Sequence, residues 1–221
     1  MITGAIFDVD GTLIDSMGYW NHAGEHYIES LGLTPKPGLC DRLFVLSMEK
    51  SGELLQQEYQ LSLTVPEIVD GLNAVVLDFY LHKVQLKPGI AAYLQGLAEK
   101  GIPMTVATTS DRCVIKAVLD KLGVLHYFQR LFTCSEVGVN KSRPDVFIAA
   151  QEHMHTDRSS TWVFEDAFHG AKTALTAGFP VAGVYDAYSA PYQEDIHDAC
   201  TIFLPDFSDF QAFYRQAAGN S

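Results

Sequence analysis

Residues 4–13 read Gly4-Ala5-Ile6-Phe7-Asp8-Val9-Asp10-Gly11-Thr12-Leu13 and place two carboxylates at the end of a short apolar run. Side chains of a strand alternate between its faces, so Asp8 and Asp10 are predicted to emerge on the same side, with a turn at Gly11. In α/β folds, ligands bind at the carboxyl ends of parallel strands. The pair is therefore suited to hold a divalent cation, attack an electrophile or move a proton. A solvated aspartate turn is the alternative interpretation of this motif alone.

Short apolar runs alternate with helix-like segments through most of the chain. Strands are predicted at 2–8, 103–108, 131–133, 162–164, 181–184 and 201–203. Helices are predicted between them at 90–100, 111–122, 144–153 and 168–177, with Asp111 as an N-cap and Pro144 in a first helical position. This alternation predicts an α/β fold, in which a doubly wound, Rossmann-like parallel sheet has helices on both faces.

The segment 16–87 has a different character, because helical patterns follow one another there without strand-like runs. Helices are predicted at 19–31, 47–59 and 64–82, the last with a capping box formed by Thr64 and Glu67. A run of helices does not fit as a crossover between two parallel strands. We therefore predict an inserted helical cap domain over 16–87 and a core formed by 1–15 and 88–221.

The composition describes a globular, acidic protein. Of its 221 residues, 48% are hydrophobic and 19% are charged, and the formal net charge is −12. That charge offers no general attraction to nucleic acid or to anionic membranes, so neither is expected as a partner. The chain has no apolar run long enough to span a bilayer and no secretory pattern at its start, which predicts a cytoplasmic protein. A monomer is expected, with a dimer as the alternative.

The cysteines and histidines show no spacing typical of a metal site. Cys40, Cys113, Cys134 and Cys200 are widely separated and form no CxxC pair. We interpret them as reduced thiols, without a metal ligand among them. The eight histidines are interpreted as structural or surface residues.

Three further segments follow predicted strands and carry groups suited to phosphate chemistry. Thr108-Thr109-Ser110 precedes a helix, where hydroxyl and backbone N–H groups bind anions, although a turn with a helix cap has the same pattern. Lys141 lies in a loop, where a lysine is usually exposed to solvent. Glu165-Asp166 follows the strand at 162–164 and would complete an oxygen site for a hard cation with Asp8. A solvated loop or the first turn of a helix is the alternative for this pair.

In their order and spacing, these segments resemble the motifs of the haloacid dehalogenase-like hydrolase superfamily. Residues 8–16 match its first motif, Thr108 the second, Lys141 the third and Glu165-Asp166 the fourth. The helical insertion is similar to the type 1 cap of β-phosphoglucomutase and phosphoglycolate phosphatase relatives. The resemblance spans the whole chain and is specific, since four separated elements agree at once.

The resemblance implies roles for five residues in phosphoryl transfer. Asp8 would attack phosphorus to form an aspartyl-phosphate, and Asp10 would protonate the leaving alkoxide and later deprotonate the attacking water. Lys141 would neutralise charge on the nucleophile and the phosphate. Thr108 and the backbone N–H of Thr109 would bind phosphoryl oxygens.

The resemblance also implies Mg²⁺ as a cofactor and a small phosphorylated metabolite as the substrate. The ion would lie between Asp8, the backbone carbonyl of Asp10 and Asp166, with Glu165 binding directly or through water. Mg²⁺ prefers oxygen ligands and retains several waters, which agrees with this set of residues.

A few residues narrow the reaction within the superfamily. Asp10 favours phosphoryl transfer over dehalogenation, because an alkoxide leaving group needs a proton and a halide does not. Trp20 stands at or near the position of a histidine in β-phosphoglucomutases, and 46–50 contains no cap arginine, so hydrolysis is favoured over the mutase alternative. Met17 and Trp20 would face the substrate or belong to the cap core. A third alternative is a catalytically silent binding protein on this scaffold, although such a protein has no need for Asp10.

Overall fold

The computed structural model describes residues 1–44, 46 and 48–219. Its six parallel strands are β1 (Gly4–Phe7), β2 (Met104–Thr108), β3 (Phe128–Thr133), β4 (Thr161–Glu165), β5 (Val181–Val184) and β6 (Ile202–Leu204). They form one sheet in the order β3-β2-β1-β4-β5-β6. This doubly wound parallel sheet confirms the predicted α/β fold class.

The chain divides into two compact units, Ser16–Val84 and the combination of Met1–Asp15 with Gln85–Ser221. In its described part, the smaller unit contains α1 (Met17–Asn21), α2 (Ala23–Ser30), α3 (Leu39–Phe44), α4 (Met48–Tyr59) and α5 (Val65–His82). Ser47, the expected start of the second predicted helix, lies outside the described residues.

Two predictions for the smaller unit have different outcomes. The single helix predicted over 19–31 is wrong, because the backbone at His22 (φ −102°, ψ 8°) leaves the helical region and separates α1 from α2. The capping box before α5 is confirmed, since the Thr64 N–H donates to Glu67 Oε2 at 2.7 Å and the Thr64 hydroxyl accepts from the Glu67 N–H.

The larger unit surrounds the sheet with α6 (Ile90–Glu99), α7 (Arg112–Lys121), α8 (Cys134–Val137), α9 (Asp145–Met154), α10 (Phe168–Thr176), α11 (Gln193–Ala199) and α12 (Phe210–Ala217). Asp111 is the N-cap of α7, as predicted, and its carboxylate accepts hydrogen bonds from the N–H groups of Cys113 and Val114. Pro144 is the N-cap of α9 and not its first helical residue, so the helix begins one residue later than predicted. None of the helices in the described part of the chain is both long and apolar enough to cross a membrane.

Aromatic side chains pack around the central strands. Phe7 at the end of β1 is fully buried and stacks on Phe164 of β4, with ring centroids 4.2 Å apart. Tyr93 of α6 makes T-shaped contacts with Phe164 and Phe207, with ring centroids 5.9 and 5.0 Å apart. β1, β5 and β6 carry no polar side chain, as expected for parallel strands that are covered by helices, whereas β3 at the edge of the sheet exposes Gln129 and Arg130.

The two segments that connect the units run beside each other. The Asp15 N–H donates to the Gln85 carbonyl at 3.0 Å, and the Lys87 N–H donates to the Leu13 carbonyl at 3.0 Å. Residues 85–87 pair with 13–15 in this way and belong to the larger unit. The second segment of the larger unit therefore begins at Gln85, three residues before the predicted position 88.

Candidate active site

The carboxyl ends of β1, β2 and β4 bring three of the predicted segments to one edge of the sheet. Asp8 directly follows β1, Thr108 ends β2 and Glu165 ends β4. β1 lies between β2 and β4, and the Asp8 N–H donates to the Phe164 carbonyl at 3.0 Å. The strand order reverses at β1, and in doubly wound sheets such a switch point forms a crevice at the carboxyl ends. The topology of the sheet therefore positions this group of side chains.

Lys141 lies at the centre of a buried ion-pair network. Its ammonium donates to Asp8 Oδ1 and to Glu165 Oε2, the second contact measuring 2.7 Å. The exposed fractions are 4% for Lys141, 6% for Asp8 and 1% for Glu165. An exposed loop lysine is therefore the wrong interpretation here, because the two carboxylates replace the solvation that the ammonium loses on burial.

Burial and charge act on the pKa values of this network in opposite directions. Burial raises the pKa of Asp8 well above its usual value, while Lys141 lowers it and the nearby carboxylates raise it further. Burial by itself would lower the pKa of Lys141, but the charges of Asp8 and Glu165 raise that pKa overall. Lys141 therefore stays charged and supplies the cation that an ionised Asp8 requires.

Three carboxylates of the network could hold a cation. Asp8, Glu165 and Asp166 are buried, and one oxygen from each lies within 4.8 Å of the others. Burial raises the pKa of Asp166 to about 7, and the charges of Glu165 and Asp186 add to this rise. Three ionised carboxylates and the ammonium of Lys141 give a formal charge of −3 + 1 = −2, which one divalent cation balances. The all-oxygen donor set fits a hard cation such as Mg²⁺.

The carboxylate of Asp166 is oriented by two hydroxyls that were not predicted as site residues. Thr12 Oγ1 donates to Asp166 Oδ1 at 3.1 Å, and Ser189 Oγ donates to Oδ2 at 3.1 Å. Thr12 lies within the opening motif, so its proximity to Asp8 was a usable signal. Ser189 lies after β5, in a segment where the sequence carries no signal for the site.

A glycine without a predicted role allows α10 to approach Glu165. A Cβ atom at Gly170 would lie 2.8 Å from Glu165 Cδ and 2.9 Å from Oε2. Such distances are shorter than carbon and oxygen atoms tolerate, so only glycine permits the observed position of the carboxylate.

The segment at the end of β2 contacts Asp10 through a serine. Ser110 Oγ donates to Asp10 Oδ2 at 2.7 Å, and the Ser110 N–H donates to the buried Thr108 hydroxyl at 3.0 Å. Thr109 is exposed. Asp111 accepts hydrogen bonds from the N–H groups of Cys113 and Val114, so these two donors at the start of α7 are already occupied.

Met17 and Trp20 lie in α1 of the smaller unit, and both are half-buried. The indole N–H of Trp20 donates to the hydroxyl of Tyr80 at 2.6 Å, and the two rings meet edge to face at 6.3 Å. Trp20 therefore packs within its own unit, in agreement with the cap-core alternative. A substrate-facing position for either residue stays a prediction.

Comparisons with known proteins give consistent results. A family model described as haloacid dehalogenase-like hydrolase matches residues 5–184. The chain is 27% identical over 220 residues to the plasmid CbbY protein of Cupriavidus necator, covering 92% of this chain and 85% of that protein. It is 26% identical over 185 residues to the fructose-1-phosphate phosphatase YqaB of Escherichia coli, covering 82% and 95%. A solved β-phosphoglucomutase from Clostridium difficile has the same fold, with a TM-score of 0.72, 17% identity and coverage of 99% and 98%.

Proposed function

The chain belongs to the haloacid dehalogenase-like hydrolase family, and we propose that it is a Mg²⁺-dependent phosphatase of small phosphorylated metabolites. The observation that carries this proposal is the buried network in which Lys141 joins Asp8 to Glu165 beside Asp166. Buried ionisable groups in a cluster at the end of a central strand, among them Asp8 and Asp166 with raised pKa values, are typical of a reactive site. In this proposal, Asp8 is the nucleophile, Asp8, Glu165 and Asp166 hold the divalent cation, and Lys141 balances the remaining negative charge.

The proposed reaction has two steps on Asp8. In the first step, a carboxylate oxygen of Asp8 forms a bond to phosphorus while the bond to the leaving oxygen breaks, and Asp10 gives that oxygen its proton. In the second step, Asp10 removes a proton from water, whose oxygen attacks the aspartyl-phosphate and releases inorganic phosphate and the Asp8 carboxylate. Asp10 regains its proton, so the enzyme returns to its starting state.

The neighbouring residues would stabilise the negative charge on the phosphoryl oxygens during the transfer. Lys141, already bonded to Asp8, would also neutralise a phosphoryl oxygen, and the Thr108 hydroxyl with the Thr109 N–H would bind the others. Asp8, Glu165, Asp166 and the carbonyl of Asp10 would hold Mg²⁺, which would withdraw negative charge from the phosphoryl group.

The names of the relatives support a phosphorylated metabolite as the substrate. One relative is named a fructose-1-phosphate phosphatase, and further relatives are named phosphoglycolate and 6-phosphogluconate phosphatases. We propose that the smaller unit acts as a cap that excludes bulk water during turnover, as in enzymes that close over small substrates. The cytoplasmic location and the monomeric state stay predictions.

The proposal is tested by phosphate release from p-nitrophenyl phosphate with the full-length protein. We expect turnover with Mg²⁺, loss of turnover with a chelator, and a decrease of at least about a thousandfold in Asp8→Asn. The exposed Asp120→Asn on α7 serves as the matched control and should retain full activity. Mass spectrometry of the quenched reaction should show one phosphoryl group on Asp8. Full turnover with the chelator or in Asp8→Asn would overturn the proposal.

The two alternative functions are separated by the products formed. β-Glucose 1-phosphate yields free phosphate with a phosphatase and glucose 6-phosphate with a mutase. Absence of turnover across a panel of phosphorylated metabolites would instead favour a catalytically silent binding protein. We expect free phosphate, because Trp20 stands at or near the position of the mutase histidine, and its indole N–H donates to the Tyr80 hydroxyl.

A further inference from the structure

The smaller unit contains a second cluster of metal-ligand groups, with a chemistry unlike that of the acidic network. A nitrogen of His22, an oxygen of Glu25 and the sulfur of Cys40 lie within 4.8 Å of one another. His22 Nδ1 is 2.8 Å from Glu25 Oε2 and 3.1 Å from Cys40 Sγ. The Cys40 thiol also hydrogen-bonds the Glu25 carboxylate. Each of the three side chains therefore contacts the other two.

The packing of α3 against α2 brings these residues together. His22 stands at the break between α1 and α2, and Glu25 follows in the first turn of α2, three residues later. Cys40 comes from α3, and the side chain of Leu43 in the same helix fills the space that a Cβ atom of Gly24 would occupy. Glycine at position 24 leaves room for Leu43 between the two helices, and Cys40 of the same helix lies against His22 and Glu25.

We propose that His22, Glu25 and Cys40 form a binding site for a zinc-class transition-metal ion, with a fourth position open to water. Imidazole nitrogen, thiolate sulfur and carboxylate oxygen are the three protein ligands that zinc uses, and three ligands plus water complete its tetrahedral shell. A sulfur ligand is unsuited to Mg²⁺ and selects softer ions. The chain would then hold two different ions, one at the oxygen-only network and one at this mixed site.

The dimensions of the cluster agree with an ion of this class. Zinc–ligand bonds of about 2.0–2.3 Å at tetrahedral angles separate the ligand atoms by roughly 3.3–3.6 Å. The separations of 2.8 and 3.1 Å are shorter, so small side-chain rotations outward would admit the ion. The side chain of His22 is 43% exposed and that of Glu25 is 26% exposed, which provides an entry path and room for the water ligand.

A hydrogen-bonded triad without a metal is the alternative. Burial and the Glu25 carboxylate raise the pKa of the Cys40 thiol to about 12, so the metal-free triad contains a protonated thiol that would release its proton on binding a metal ion. The interpretation of the four cysteines as lacking a metal rested on their spacing. Cys40 lies 18 residues from His22, and spacing within one short motif does not reveal such a pair.

The chain provides a matched control on the same helix. His26 and Glu29 repeat the spacing of His22 and Glu25, with His26 Nδ1 3.4 Å from Glu29 Oε2. Glu29→Gln therefore removes an equivalent carboxylate from an imidazole pair that has no cysteine ligand among the residues the structure describes. Cys113→Ser removes an exposed thiol of the larger unit and controls for adventitious binding to cysteine.

The experiment is a titration of metal-stripped, full-length protein with Co²⁺, in excess Mg²⁺ so that the acidic network is saturated. We expect one equivalent to bind with a cobalt–thiolate charge-transfer band and the intense visible bands of tetrahedral cobalt, and Zn²⁺ should displace it. Cys40→Ser should lose the charge-transfer band, and Glu25→Gln should bind at least about tenfold more weakly. Glu29→Gln, Cys113→Ser and Asp8→Asn should bind like the unaltered chain.

Several outcomes would overturn this proposal. They are the absence of a thiolate band in the unaltered chain, an unchanged band in Cys40→Ser, and equal weakening by Glu25→Gln and Glu29→Gln. Circular dichroism identifies a variant that has failed to fold, and His22→Gln then provides a second ligand substitution with the same expected loss. Since the band reports only on the thiolate site, its absence leaves the proposed phosphatase activity unaffected.

Discussion

As the proposed nucleophile, Asp8 would have to be ionised to attack phosphorus, yet its burial opposes ionisation. Desolvation raises its pKa, and Lys141 is the neighbour that acts in the other direction. The same ammonium bonds Glu165, so it offsets two of the buried carboxylates at once. The charge balance of the site therefore depends on Lys141, whose buried ammonium is in turn stabilised by hydrogen bonds to Asp8 and Glu165.

Replacing Lys141 by methionine should impair both activity and stability. We expect kcat/KM for p-nitrophenyl phosphate to fall by about 10²–10³-fold, since a positive charge next to the transferring phosphoryl group is lost. Without Mg²⁺, the free energy of unfolding should fall by about 3–5 kcal/mol, because the buried carboxylates lose their ammonium. Urea unfolding with and without Mg²⁺ measures the second effect.

The control for this prediction is Lys172→Met, which changes an exposed lysine of α10. It should leave kcat/KM and the free energy of unfolding nearly unchanged. If Lys141→Met behaved like Lys172→Met, the buried ion-pair network would have no part in catalysis.

At the scale of elements, the approach of α10 to the end of β4 fixes the position of Glu165. The Glu165 carboxylate accepts a hydrogen bond from the Ala167 N–H at 3.2 Å and contacts Lys141 through its other oxygen at 2.7 Å. Gly170 leaves the space that this carboxylate occupies. α10 can therefore lie against the Glu165 carboxylate because Gly170 has no side chain.

Gly170→Ala should displace the Glu165 carboxylate from Lys141. The added Cβ would lie 2.9 Å from Oε2, the oxygen that contacts the ammonium. We expect the Mg²⁺ concentration for half-maximal activity to increase about tenfold or more, as for other changes that misplace a metal ligand. Thr176→Ala at the other end of α10 is the control. An unchanged Mg²⁺ dependence in Gly170→Ala would contradict the role of this contact.

An ion pair connects α7 to α8 at the surface. Arg112 Nη2 donates to Glu136 Oε2 at 2.6 Å, and Glu136 also completes a capping box with Thr133. Arg112 lowers the pKa of Glu136 from its usual 4.5 to about 2, with smaller contributions from Thr133. The folded state therefore binds fewer protons than the unfolded state between these pH values, and the contribution of Glu136 is lost as the pH falls from 4.5 towards 2.

Glu136→Gln should reduce stability at neutral pH and lose this effect in acid. The side chains of Arg112 and Glu136 are 35% and 44% exposed, so solvent screening limits the expected cost to about 1 kcal/mol at pH 7. Glutamine keeps the capping hydrogen bonds, so the variant isolates the charge. Urea unfolding at a series of pH values should show the difference shrinking below pH 4.5. A constant difference, or an equal one in an Arg112→Gln background, would exclude the ion pair as its cause.

At the scale of the whole molecule, the two units carry separate chemistry. Asp8, Lys141, Glu165 and Asp166 all belong to the larger unit, whereas the mixed cluster around Cys40 belongs to the smaller one. The connecting segments meet at a hydrogen bond of 3.0 Å between Asp15 and Gln85. The larger unit therefore contains the whole acidic network, and its two chain segments are joined by a backbone hydrogen bond where they meet.

Replacing Ser16–Val84 by a short glycine linker should leave a folded protein that still binds Mg²⁺. The backbone contact between Asp15 and Gln85 means that a few residues suffice to join the ends. At a Mg²⁺ concentration of about a hundred times Kd, we expect about 2.7 kcal/mol of added stability, as in the full chain. Thermal unfolding with and without Mg²⁺ measures this. An unfolded product would show that the larger unit depends on the smaller one.

The sequence by itself determined the parts of this protein that follow from short-range pattern. Apolar runs alternating with helical segments define a parallel sheet, because the period of side-chain burial and the handedness of strand connections leave few other arrangements. Asp8, at the end of the first run, and the pair Glu165-Asp166, at the end of a later one, were therefore predicted at the same edge. The capping residues Thr64 and Asp111 were also predicted, since a helix cap involves only its next three residues.

Only the tertiary structure decided the contacts between distant segments. Thr12 donates a hydrogen bond to Asp166, 154 positions away in the sequence, and Lys141 donates one to Asp8, 133 positions away. No local sequence pattern predicts either contact. The burial of Lys141 and the meeting of Cys40 with His22 depend on how helices and loops pack against each other. Packing sums many weak interactions over the whole chain, so its outcome cannot be read from one segment, whereas strand and helix formation depend on a few neighbouring residues.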